Sequence, residues 1–100
     1  MIEVVVLAEA ERDRLEIWRR CDEMLVGLGD RFDAAFDKAT EQIAHFPEAA
    51  SLWRKLGFRR KIVADFPIGI FYKIHGNRAF IRAILDLRQS DEAIIRRLTD

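Results

Sequence analysis

Three apolar runs between Phe58 and Arg88 constrain this chain more than any other feature. FRRKIVAD (58–65), FPIGIFYKI (66–74) and RAFIRAILDLR (78–88) are each short, rich in β-branched and aromatic residues, and bounded by turn formers. Pro67 marks the first junction, and HGN (75–77) supplies Gly76 and Asn77 for a tight hairpin turn. Successive strands joined this closely pair antiparallel. Their alternation assigns faces. Ile68, Ile70, Tyr72 and Ile74 share a side with Ile81, Ala83, Leu85 and Leu87 of the third run and with Phe58, Ile62 and Ala64 of the first. That side is apolar and must lie under other elements, with Arg60 as its one intruder, expected to snorkel to a carboxylate or the sheet edge. The other side is mixed: Lys61, Lys73, Arg82 and Arg88 stand among Val63, Phe71, Phe80 and Ile84. On this reading Ile70 is core and Phe71 is not.

The cover has to come from the first half. IEVVVL (2–7) reads as a strand covered on both faces. From Ala8 the period changes, and Leu15, Trp18, Cys21 and Leu25, with Ile17, form the apolar face of an amphipathic helix. Gly27-Leu28-Gly29 breaks it, and Asp30 is placed to cap a second helix with Asp33 in its first turn. That helix carries Phe32, Ala35, Phe36, Ala39, Ile43 and Phe46 on one face and stops at Pro47. The two helices should pack as an antiparallel hairpin. Residues 47–57 read as a loop with Trp53, Arg54 and Lys55, and Ser90 caps a final helix, DEAIIRRL. The expected fold is therefore α+β, in the order β-α-α-β-β-β-α: one domain over residues 1–100, a small twisted antiparallel sheet packed on a helical hairpin.

Net charge is zero, yet it is unevenly spread. Residues 1–50 carry 6 Lys/Arg against 12 Asp/Glu, whereas residues 54–88 carry 9 Lys/Arg against 2 acids, Asp65 and Asp86. Such asymmetry points to a polar partner on one side. Exposed apolar surface rimmed by charge marks a binding site. It makes Arg59, Lys61, Phe71, Lys73, Phe80, Arg82, Ile84 and Arg88 the candidate contact residues.

Other chemistries find little to work with. Cys21 is the only cysteine, which leaves no intramolecular disulfide and favours the reducing cytosol; its expected role is a small apolar side chain. The acidic start of MIEVVVLAEAERDR does not read as a signal peptide, and no run is long enough to span a membrane. No metal-ligand spacing and no phosphate-cradling glycine loop is present, so neither a metal nor a cofactor is expected. His45 at a helix end, His75 in a turn and Tyr72 in a strand are expected to be structural.

Several stretches resemble the RelE/ParE superfamily of type II toxin–antitoxin toxins, most of all its ParE-like plasmid-stabilisation branch, over essentially the whole chain. They are the opening strand with an acidic helix (VVVLAEAERDRLEIW), the hydrophobic-Pro step HFPEA, and RRKIVADFPIGIFYKIHGN followed by ILDLR. FPIGIFYKI matches the family's aromatic-Pro-x-x-I-x-Tyr-basic strand. The resemblance implies a cytoplasmic, growth-inhibiting toxin neutralised by a cognate antitoxin, as a homodimer or a toxin–antitoxin heterotetramer. ParE-like members act on DNA gyrase and RelE-like members cut messenger RNA on the ribosome. Here Gly69 stands where RelE-like nucleases tend to be basic, and the tail QSDEAIIRRLTD carries no catalytic tyrosine, although Arg88 falls at the family's last-strand arginine. A protein-binding inhibitor is the first expectation. A RelE-like endoribonuclease using Arg82, Arg88, Lys61 and Lys73 on phosphate is the alternative, and a nontoxic basic-faced binding module the third.

Overall fold

The computed structural model describes residues 1–100, which form β1 (Glu3–Val6), α1 (Ala8–Met24), α2 (Leu28–His45), β2 (Leu52–Trp53), β3 (Phe58–Ile62), β4 (Ile68–His75), β5 (Arg78–Asp86) and α3 (Asp91–Thr99). The expected α+β order holds, with one short strand, β2, added inside the anticipated 47–57 loop. The sheet runs β1-β5-β4-β3-β2. β1 lies parallel to β5, and the other neighbours are antiparallel. No helix is long and apolar enough to cross a membrane.

α1 and α2 form the predicted hairpin, but their details differ. The inward side of α1 is set by Ala10 and Ile17, with Trp18 and Cys21 half-buried, whereas Leu15 and Leu25 are exposed. Two charged residues share that inward side, Asp13 and Arg14. Arg14 bridges Glu11 on its own helix and Asp33 on α2 at 2.7 Å. A count of apolar residues misplaces such a face because it cannot see charges that have found partners. α2 begins at Leu28, ahead of Asp30, and the carboxylate that serves its start is Asp22 of α1, which accepts from the backbone N–H of Gly27 and Gly29 at 3.0 Å each. Asp30 instead accepts from the Trp18 indole at 3.2 Å. A side chain on Gly29 would meet that indole at 2.8 Å, so the close crossing of the two helices requires glycine there. The helix ends at His45 before Pro47 as expected, but Phe46 lies beyond it and is 69% exposed.

The sheet faces depart further from the alternation argument. In β5 the register against β4 slips once: Phe71 pairs with Ala83 and Tyr72 with Ile81, so Arg82 is an extra, bulged residue. A one-residue slip sends every later side chain to the opposite face. Ile81 faces the helical hairpin as predicted, with Ala79 on the same side. Past the bulge Ile84 takes that side, while Ala83 and Leu85 turn to the other. Ile84, expected on the open face, is 1% exposed in the main core beside Ile68, Ile70, Tyr72 and Phe32. β3 is also phased opposite to expectation, because Arg59 pairs with Tyr72 and Lys61 with Ile70. Arg59, Lys61 and Val63 therefore share the hairpin side, and Phe58, Arg60 and Ile62 the other.

The face expected to be open is closed by this chain itself. Ser90 caps α3 as predicted, its Oγ accepting from Ala93 N–H at 3.2 Å. Ile94 and Leu98 of α3 pack with Trp53, Phe58, Phe71, Ala83 and Leu85 into a second core. Trp53 meets Phe71 edge-to-face at 5.4 Å, a geometry aromatic pairs favour. The sheet is thus buried on both sides, and Phe71 is as fully enclosed as Ile70, each 0% exposed. We accordingly expect Phe71→Asp and Ile70→Asp to fail alike, since each leaves a carboxylate without a partner in an apolar core. Circular dichroism checks this, and a folded Phe71→Asp protein would mean that α3 does not cover the sheet.

Candidate interaction surface

The sheet bulge is held by charge. Beyond Arg82 the N–H of Ile84 donates to Asp13 Oδ2 of α1 at 3.0 Å. The same carboxylate accepts from both terminal guanidinium nitrogens of Arg97 of α3, Nη1 and Nη2, at 3.0 and 2.9 Å. Arg82 pairs with Glu9 of α1 and donates from Nη2 to the Asp100 carbonyl at 2.8 Å. Two arginines and two carboxylates thus tie α1, the bulge and α3 together. The hydrogen bond from Arg82 holds the Glu9 carboxyl below its ordinary value of 4.5, and the bonds Arg97 donates to Asp13 raise the Arg97 pKa. Asp86, bound by Arg88, is likewise held below its ordinary 3.8. Lowered carboxylates stabilise the fold above their ordinary values, and this contribution drains as pH falls through the depressed ones.

These contacts divide the candidate cations into two groups. Arg54, Arg78, Arg82 and Arg88 are paired, to Asp91, Glu3, Glu9 and Asp86. Lys55, Arg59, Arg60, Lys61 and Lys73, all around β3, have no carboxylate against them. Arg59 donates to the carbonyls of Glu48 and Ala50, at 3.1 and 2.7 Å. Lys73 sits 4.4 Å from the centre of the Phe58 ring. The unsatisfied part of the basic excess is therefore concentrated at the β3 end of the sheet.

The eight sequence-predicted contact residues do not form one patch. Phe71 and Ile84 are buried in two different cores. Phe80 is half-buried against His75, ring centres 5.9 Å apart. Lys73 lies on the α3 side of the sheet, and Arg59 and Lys61 on the hairpin side. The four residues named for a nuclease do not converge: Lys61 and Lys73 project from opposite faces, while Arg82 and Arg88 are occupied by Glu9 and Asp86. A Cβ at Gly69 would stand 2.8 Å from the Leu87 side-chain methyl, so a basic residue there would first have to displace that side chain. Tyr72 is core, its hydroxyl donating to the Pro47 carbonyl at 2.6 Å, and burial pushes its pKa up. Burial also raises the Cys21 thiol.

Two concavities had no signal in the sequence. A groove of about 920 Å³ runs between the second half of α1, the β3–β4 connection and the end of β5, floored by Ile17, Cys21, Phe66, Ile68 and Ile84. A smaller pocket of about 270 Å³ lies between the end of α2 and β3, with Lys61 at its side and Ile43, Phe46, Ala49, Ala50 and Tyr72 among its lining. Both are assembled from segments distant in the chain, so no local pattern announces them.

Among solved structures, the chain is similar to one from a chromosomal ParDE toxin–antitoxin system of P. aeruginosa, at 15% identity and a TM-score of 0.67, over 88% of this chain and 98% of that one. It is also similar to a copper-bound mutant toxin from Helicobacter pylori, at 11% identity and a TM-score of 0.59, over 86% of this chain and 94% of that one. No family model and no curated protein sequence matches it. The fold is that of the RelE/ParE-type toxins.

The bulge contacts make a stability prediction. Asp13→Ala strips the acceptor from the Ile84 N–H and the counter-charge from Arg97, and should cost about 2–3 kcal/mol. Asp13→Asn, which keeps an acceptor, should cost less. Urea unfolding measures both, with Arg12→Ala, an exposed position on the same helix, expected within about 0.5 kcal/mol of the parent protein.

Proposed function

We propose that this chain is the toxin of a type II toxin–antitoxin pair, a protein-binding inhibitor that slows growth by engaging a cytoplasmic target, DNA gyrase first, and is neutralised by a cognate antitoxin. The observation that carries the reading is the fold, which follows that of a ParDE-system chain over nearly the full length of both. The cluster of cations around β3 that no carboxylate of this chain balances adds to it, because charge not neutralised within the fold can meet an acidic partner.

The messenger RNA reading has less support. Phosphoryl chemistry needs cations converging on one phosphate and a group to move a proton. The four basic residues that would do the first are split between faces or already paired. Tyr72 is enclosed and bonded to a carbonyl.

Induction of this chain alone should slow growth, and co-expression of a small neighbouring gene should restore it. Purified protein should inhibit supercoiling by gyrase and leave a ribosome-bound transcript intact. Normal growth at high soluble expression would remove the toxin reading, and codon-positioned cuts with gyrase unaffected would exchange the target for the ribosome.

A further inference from the structure

We infer that the pocket between the end of α2 and β3 binds a small apolar carboxylate, an aryl or branched-chain acid, with the Lys61 ammonium against its charge. The pocket holds about 270 Å³, and its apolar lining of Ile43, Phe46, Ala49, Ala50 and Tyr72 is joined by two polar side chains, Gln42 and Lys61. That volume lies just under the range of sites for drug-sized ligands, so the occupant is smaller, one ring or one branched chain. Phe46, left exposed by the fold, would be covered by such a body.

The site is formed before any ligand arrives. Its outer wall is the short segment 47–50 that follows α2, and that segment is tied down along its length. The Tyr72 hydroxyl donates to the Pro47 carbonyl at 2.6 Å, and Arg59 donates to the carbonyls of Glu48 and Ala50 at 3.1 and 2.7 Å. The Ala49 N–H donates to the Phe46 carbonyl at 3.1 Å. Ile43 and Tyr72, behind this wall, belong to the main core. A wall held in this way loses little freedom on binding, which favours a small ligand that makes few contacts.

Charge selects the ligand. Arg59 pairs with Tyr72 and Lys61 with Ile70, so both cations stand on the pocket's side of the sheet. None of the lining residues is acidic, so the counter-charge to Lys61 is the ligand's to supply. A neutral ligand gains nothing from the ammonium and a cation is repelled by it. An anion is attracted, and more strongly once apolar walls have displaced water. One compact ammonium beside an apolar surface matches a monoanion with an apolar body. Phosphate has no such body and would leave the rest of the site wet.

This inference goes beyond the toxin reading, and neither depends on the other. The test titrates the intact, isotope-labelled protein with 3-phenylpropionate and follows its amide chemical shifts. A fragment of this size should bind with a Kd of about 1 mM or tighter. The shifts should centre on Ile43, Ala49, Ala50, Lys61 and Tyr72. 3-Phenylpropionamide, the ring without the charge, and inorganic phosphate, the charge without the ring, should each bind about tenfold more weakly or worse. Lys61→Met keeps the apolar stem and removes the charge; it should weaken the acid about tenfold and leave the amide unchanged. Ala49→Trp, at an exposed position of the wall, should abolish the shifts, and Arg12→Met on α1 should bind the acid as the parent protein does. A free acid and a peptide chain end share this chemistry, so N-acetyl-glycyl-phenylalanine forms a further arm and should bind no more tightly than 3-phenylpropionate. Absence of saturable shifts at these residues, equal binding of acid and amide, or clearly tighter binding of the peptide would overturn the proposal. The comparison of acid, amide and peptide uses the unmutated protein, so it stands even if a variant does not fold.

Discussion

Asp13 accepts the N–H of Ile84 and both arms of Arg97, and much of the architecture depends on those contacts. The bulge at Arg82 interrupts the β4–β5 ladder and turns a backbone donor toward α1. A buried donor without an acceptor costs about 1–3 kcal/mol, so a bulge in the middle of a covered sheet needs a partner from elsewhere in the fold. Asp13 supplies it across 71 positions of sequence, and both of its oxygens also accept from Arg97, which brings in α3. One carboxylate thus fixes where β5 changes face and where the last helix lies.

The second core follows from that change of face. Without the slip, Ala83 and Leu85 would join Ile81 under the helical hairpin and Ile84 would stand with Phe71 on the other side. With it, Phe71 gains two neighbours small or flat enough for Ile94 and Leu98 to pack against. A nine-residue helix is marginal alone, but here Ser90 caps it, an apolar stripe anchors it and Arg97 pins it to α1. Arg82, displaced by the bulge, completes the arrangement by reaching Glu9 and the Asp100 carbonyl.

Much of this fold was legible in the sequence, and what was not has identifiable causes. Element order, the stop at Pro47 and the Ser90 cap rest on local chemistry, which a sequence displays directly. Strand phase does not: FRRKIVAD carries apolar residues at Phe58, Ile62 and Ala64 on one parity and only Val63 on the other, yet it is Val63 that enters the main core, fully buried. The register against Tyr72 and Ile70 decides, and register is a property of two strands and the turn between them. The bulge is likewise invisible because RAFIRAILD alternates acceptably in either phase. For the candidate surface, the excess of positive charge was evident, but its division into paired and free cations depends on Glu3, Glu9 and Asp91, all distant in sequence from their arginines.

That division also separates what salt and pH act upon. The Glu9–Arg82 pair acts at short range, and its main sensitivity is to acid, which neutralises the lowered Glu9 carboxylate. Lys55, Arg59, Arg60, Lys61 and Lys73 instead add a field at one end of a molecule whose net charge is zero. Such a field acts over roughly a Debye length, about 8 Å at physiological ionic strength, and its effect is on the rate at which an acidic partner arrives. At the other end of the sheet the charge is already matched, because Arg78 of β5 is bonded to Glu3 of β1 at 2.7 Å.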